Sequence, residues 1–112
     1  MHELSITRSI VAIACEHARG RKVLAVHLKI GALSGIDAES VRFCFDVCAE
    51  GTEVAGSKLV IEDVPGTARC RGCDKTIALD GPAVLCPCER REVLERLSGD
   101  ELLVTSLEVD DV

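Results

Sequence analysis

Between Thr67 and Leu97 the chain changes texture in a way that limits what the whole can fold into. This stretch holds four of the seven cysteines, two of the three prolines and neither phenylalanine. A segment so short and so poor in large apolar side chains cannot assemble a core alone. Its cysteines suggest what takes the place of one. Cys70-Arg71-Gly72-Cys73 is a C-x2-C pair, and Cys86-Pro87-Cys88 follows after twelve intervening residues. Two close pairs separated by a hairpin-length spacer suit Zn(II), which takes four thiolates at about 2.3 Å. In a C-x2-C knuckle a tight turn aims both sulfurs at one point, and Gly72 offers the flexibility for it. Four ligands fill a tetrahedron, so the site is structural, and metal binding supplies the folding energy. The second pair is one residue short of a knuckle: either both cysteines bind in altered geometry, or one gives way to an outside ligand. The bland alternative is four unligated thiols in a loop-rich insert. A redox C-x-x-C would need a strand-to-helix setting that is absent around Cys70.

A chain of 112 residues is one domain, or one domain carrying a small insert. Thirteen basic against nineteen acidic residues give a net charge of −6, and Trp and Tyr are absent. Such a chain repels phosphates and has few rings on which bases stack, so no nucleic-acid partner is expected. The N-terminus lacks a basic leader pattern, and the uncharged run from Ser9 to Cys15 is too short to span a membrane. The expected location is the cytoplasm, with no membrane partner. In that reducing compartment cysteines bind metal or do chemistry rather than form disulfides, and their odd number points the same way.

Residues 4–19 pattern a helix. Ile6, Ile10 and Ile13 recur at i, i+4, i+7, with Val11 and Ala14 widening the stripe and Gly20 as a stop. From Val23 to Ile30, Leu24, Val26, Leu28 and Ile30 alternate with Val23, Ala25, His27 and Lys29, a strand with one apolar face. After a turn-rich loop over 31–36, Asp37 caps a second helix running to about Ala49, its inward face Val41, Phe45 and Cys48, flanked by Cys44. Lys58–Val64 and Glu101–Val109 read as two further strands. The order predicts an α+β fold: a small three-stranded sheet with two helices on one face, plus an inserted zinc-ribbon-like module built on four cysteines. Residues 1–66 and 98–112 form the discontinuous α/β domain, and 67–97 the module. Cys15, Cys44 and Cys48 fall within helical patterns and read as small core hydrophobes. Cys44 and Cys48 stand at i, i+4, yet no third ligand for a soft metal is near in sequence. His17 and His27 read as surface or core histidines.

Met1-His2-Glu3 carries a different chemistry. The terminal amine, the His2 amide nitrogen and the His2 imidazole Nδ1 form consecutive chelate rings, and the Glu3 amide offers a further nitrogen. In-plane nitrogens suit a tetragonal ion, Ni(II) or Cu(II), and Glu3 or another carboxylate can add oxygen. On its own, a histidine at position two is common, and a solvated terminus is the default.

The combination is more specific. An N-terminal Met-His-Glu-Leu-Ser, Ile-Gly-Ala-Leu-Ser-Gly-Ile at 30–36, Val-Arg-Phe-Cys-Phe at 41–45, paired cysteines, and Leu-Leu-Val-Thr-Ser-Leu-Glu-Val at 102–109 occur in one order. Across essentially the whole length the chain resembles the HypA/HybF family of hydrogenase nickel-incorporation proteins. The resemblance implies a nickel metallochaperone, not an enzyme. It implies transferable Ni(II) bound by His2 with the Met1 amine and Glu3, and Asp37 where some members place an acid near the nickel. It implies structural Zn(II) on Cys70, Cys73, Cys86 and Cys88, although the family's second pair is normally Cys-Pro-x-Cys. The partners it implies are a nickel-binding GTPase, the hydrogenase large subunit and, in some bacteria, urease accessory proteins; a homodimer is compatible with it. The competing class is a zinc-ribbon protein-interaction adaptor without nickel delivery. Arg69, Arg71, Lys75, Arg90, Arg91 and Arg96 concentrate basic charge in the insert, but Asp74, Asp80, Glu89, Glu92 and Glu95 intersperse with them.

Overall fold

In the computed structural model, residues 3–79, 86, 88 and 94–110 are described. Among them the chain forms helices α1 (Glu3–Ala18) and α2 (Ala38–Ala49) and six strands. The strands are β1 (Val23–Gly31), β2 (Lys58–Val64), β3 (Gly66–Cys70), β4 (Thr76–Leu79), β5 (Leu94–Ser98) and β6 (Leu102–Val109). They make two three-stranded sheets, ordered β2-β1-β6 and β4-β3-β5. The expected α+β fold is present, and the insert has a sheet of its own that the sequence pattern did not announce.

β1 is the centre of the first sheet. It pairs in parallel with β2 and antiparallel with β6. Parallel neighbours need a crossover, which α2 supplies between them. Both helices pack on one face. Ile10, Val11, Ala14 and Ala18 of α1 meet Val41, Phe45 and Ala49 of α2 over Val26, Leu28, Ile30 and Leu59 of the sheet. Cys15 and Cys48 pack against this core, in the role expected of them. Each large side chain here contributes about 1.5–3 kcal/mol by leaving water, and with almost no aromatics the core depends on many such aliphatic increments. Phe45, 2% exposed, is its one ring.

Two expected faces are rotated. The buried arc of α1 is Thr7, Ile10, Val11, Ala14 and Ala18, whereas Ile13 is 41% exposed. Ile6 and Ile13 sit to one side of that arc and line the groove between α1 and β6. Thr7 is accommodated because its hydroxyl donates to the Glu3 carbonyl at 2.5 Å. In β1, Val26, Leu28 and Ile30 face the core as expected, but Leu24 is 48% exposed and Val23 is buried. The register with β6 shifts between Val23 and Ala25, and such a bulge reverses which side chain points inward. α1 ends with Arg19 and Gly20 both left-handed, at φ 53° and 83°.

The two sheets meet where three glycines touch. A Cβ on Gly31, at the end of β1, would lie 2.0 Å from the Gly99 carbonyl oxygen. One on Gly99 would lie 2.8 Å from the Gly66 Cα. Backbone bonds fasten the contact: Leu33 N–H to Gly99 O and Gly31 N–H to Glu101 O, both 2.7 Å, and Ala32 N–H to Val64 O at 2.8 Å. Ser98 Oγ donates to Pro65 O at 2.8 Å. The Cα radius of gyration is 17.6 Å, where a compact chain of this length has about 13 Å. The molecule is long because the sheets extend from this joint rather than stack.

Candidate metal centres

β3 delivers Cys70 to its end, and the chain turns back into β4 within five residues. Asp74 N–H donates to Cys70 O at 2.8 Å and Cys70 N–H to Lys75 O at 2.9 Å. Cys73 N–H points at the Cys70 sulfur, 3.4 Å away, as a knuckle requires. The left-handed residue of the turn is Asp74, at φ 61°. Asn and Asp tolerate that conformation best among residues with a side chain, so Asp74 rather than Gly72 takes the positive φ of the turn.

Against this knuckle lie Cys86 and Cys88. The Cys70 and Cys88 sulfurs are 3.7 Å apart and those of Cys73 and Cys86 3.9 Å. All four lie within 4.8 Å of one another. A tetrahedron with sulfur at about 2.3 Å from its centre has edges of about 3.8 Å. The spacing is far beyond the ~2.05 Å of a disulfide, and all seven cysteines are free thiols. Cys70 and Cys86 are buried. The Cys86 thiol is pushed up to about 12: the Cys88 backbone N–H lowers it, but burial and the thiols of Cys88, Cys70 and Cys73 raise it by more. Four sulfurs at this spacing cannot all carry charge unless a cation sits among them, and four soft donors with no open vertex suit Zn(II). Among the described residues this is the one group of three or more metal-ligating side chains. Cys15, Cys44 and Cys48 are not gathered with any others.

The second candidate centre lies at the start of α1, and its donors Met1 and His2 are outside the described residues. Glu3 opens the helix. Its Oε2 accepts the Asp37 backbone N–H at 3.4 Å, joining positions 34 apart in sequence. Hydrogen bonds from the chain's amino group, then from the backbone N–H groups of Glu3 and Asp37, bring the Glu3 carboxyl down to about 2. Asp37 is the N-cap of α2, as the sequence indicated: Oδ1 accepts Glu39 N–H at 3.2 Å, and Oδ2 accepts the Ser40 hydroxyl at 2.8 Å. Both carboxylate oxygens are thus engaged in ending the helix, with lone pairs to spare.

Three of the four described basic residues of the insert are in ion pairs, Lys75 being the fourth. Arg69 pairs with Asp74, Arg71 with Glu95 and Arg96 with Asp100. Arg90, Arg91, Asp80, Glu89 and Glu92 lie outside the described residues. His27 sits on the sheet's outer face with Nε2 2.7 Å from Glu108, and His17 Nδ1 is 2.9 Å from the Ile13 carbonyl; neither joins a cluster. No helix among the described residues is long and apolar enough to cross a membrane.

Comparison with known proteins covers the same length. The family described as "Hydrogenase/urease nickel incorporation, metallochaperone, hypA" matches residues 1–109. The chain is 45% identical to the hydrogenase maturation factor HypA of Nostoc punctiforme over 112 residues, covering all of this chain and 98% of that one. Identity to HypA of Geotalea daltonii is also 45%, over 97% of this chain and 99% of that one. The solution structure of the Ni metallochaperone HypA from Helicobacter pylori superposes with a TM-score of 0.67 at 26% identity, covering 97% of each chain.

Proposed function

Because the chain belongs to the HypA family of hydrogenase and urease nickel-incorporation metallochaperones, we propose that it binds Ni(II) at its N-terminus and delivers it for maturation of nickel–iron hydrogenase. The Met1 amine, His2 and Glu3 hold the ion, with Asp37 beside them. The supporting observation is the hydrogen bond from Asp37 N–H to Glu3, which sets the first turn of α1 against the cap of α2. Nitrogen donors at a chain end leave the ion open to a partner's ligands, and they suit Ni(II) better than Zn(II). Carriage and ligand exchange are the whole of the chemistry; nothing in it calls for catalysis.

Zn(II) on Cys70, Cys73, Cys86 and Cys88 organises a module of residues 67–97, and residues 1–66 with 98–112 form the nickel domain. The partners in this reading are a nickel-binding GTPase of hydrogenase maturation and the hydrogenase large subunit, and urease accessory proteins where the family serves urease. The setting is the cytoplasm.

Nickel titration of tag-free, zinc-loaded protein tests the reading beside His2→Ala and a variant with one residue added before Met1. Both changes disrupt the chelate and spare the core. One-site binding in the parent, weakened by at least about tenfold in each variant, is the expected result. Unchanged isotherms in both would remove nickel from this end of the chain and leave the adaptor reading.

A further inference from the structure

The chain has two phenylalanines, two residues apart on α2, and they meet opposite environments. Phe45 is 2% exposed in the core, while Phe43 is 81% exposed. At about 100° per residue, Glu39, Ser40, Phe43, Asp46 and Val47 share the arc of α2 opposite Val41, Phe45 and Ala49. Val47 is 65% exposed, and Leu4 of α1, which lines a shallow cavity with Phe43, is 43% exposed. Scattered surface apolars are ordinary, but an aromatic ring with apolar neighbours on one helix face marks an interaction surface.

The charge on this arc of α2 has one sign. Glu39 and Asp46 flank Phe43 on its own arc, Glu50 follows at the C-cap, and Glu3 lines the adjoining cavity. No ion pair among the described residues involves Glu39, Asp46 or Glu50. The one base of α2, Arg42, lies outside the arc and donates to the Leu59 carbonyl at 2.9 Å.

We propose that the outer face of α2 is a docking surface for a partner protein segment in which Lys or Arg flank an apolar side chain. Burial of Phe43 and Val47 supplies affinity. The carboxylates steer approach and reject acidic competitors. Two copies of this chain would bring like charges face to face on a molecule of net charge −6, so self-association is disfavoured here. An anionic lipid or nucleic-acid surface is repelled in the same way. The inference stands apart from the nickel reading, since Glu39, Phe43, Asp46 and Val47 are not among the residues that hold nickel in it, although Glu3 borders both sites.

The test uses the full chain and two synthetic amphipathic helical peptides, one of lysine and leucine, the other of glutamate and leucine. Amide shift changes should localise to α2 and the first turn of α1 with the lysine peptide, and be absent with the glutamate peptide. Phe43→Ser keeps the charge and should weaken lysine-peptide binding at least about tenfold with an unchanged melting temperature. Glu39→Lys/Asp46→Lys should reverse the preference toward the glutamate peptide. Full binding by Phe43→Ser would reduce the effect to net charge and overturn the proposal. So would shifts mapping to the groove between α1 and β6, the absence of a reversal in the charge-swapped protein, or concentration-dependent self-association abolished by Phe43→Ser. The nickel isotherm of Phe43→Ser stays as in the parent, which separates failure here from failure of the nickel site.

Discussion

Cys88 brings its sulfur to 3.7 Å from that of Cys70 although only one residue separates it from Cys86. The pair thus brings both sulfurs to the opposing knuckle although it is one residue short of a knuckle itself. Cys88→Ser should then weaken Zn(II) binding by roughly 60- to 700-fold, since one thiolate of four carries about a quarter of the 10–16 kcal/mol typical of such sites. Competition with a chromophoric chelator measures this, and an unchanged affinity would show that Cys88 is not a ligand. Asp37 separates two roles in the same manner. Asp37→Ala should cost about 1 kcal/mol through the lost cap, whereas Asp37→Asn, itself a good cap, should restore stability to within a few tenths. Any loss of nickel affinity that persists in Asp37→Asn then reports the carboxylate's charge rather than the helix end. The cap and the four sulfurs were legible in the sequence because each rests on local spacing. The left-handed turn residue was not: Gly72 offers the freedom, but the backbone places its positive φ at Asp74.

The two kinds of element depend on different forces, and this decides how they respond to metal removal. α1, α2 and the first sheet share one aliphatic core. The second sheet has few buried apolar residues among those described, chiefly Ala68, Cys70, Leu79 and Cys86, and two of those are the sulfurs themselves. Chelating Zn(II) should therefore collapse the amide dispersion of β3, β4 and β5 while β1 and both helices keep theirs. Retained dispersion throughout after zinc loss would mean that the module folds on contacts alone. Sequence patterning works where a core repeats along an element, and so α2 and β2 were readable nearly to the residue. It failed where the order came from elsewhere. β3 buries Gly66, Ala68 and Cys70 in alternation, but over only five residues and with small side chains, so the pattern does not stand out as a strand. Val23 and Leu24 exchanged faces because a bulge against β6, a strand about 80 residues on, shifts the register.

The whole molecule is 59 Å in its longest dimension against 29 Å and 17 Å in the others, so everything that relates its two sheets passes through the joint. Gly31, Gly66 and Gly99 come from three separate stretches, and no short-range pattern marks them as neighbours. Gly31 faces the closest approach: an added Cβ would sit 2.0 Å from Gly99 O and 2.7 Å from Asp100 N, both backbone atoms that cannot swing aside. Gly31→Ala must push the link between β5 and β6 away from β1. That strains or breaks the bonds from Leu33 N–H to Gly99 O and from Gly31 N–H to Glu101 O. Overpacking costs about 1–3 kcal/mol and each lost hydrogen bond about 1 kcal/mol. A total near 3 kcal/mol should lower the melting temperature of the first sheet by roughly 10 °C or more. The sulfurs lie at the other end of β3 and do not touch Gly31, so Zn(II) affinity should be preserved while the radius of gyration from solution scattering changes. A parent-like melting temperature together with a parent-like radius would show that the joint yields freely. In that case the sheets would be linked by a tether rather than by packing.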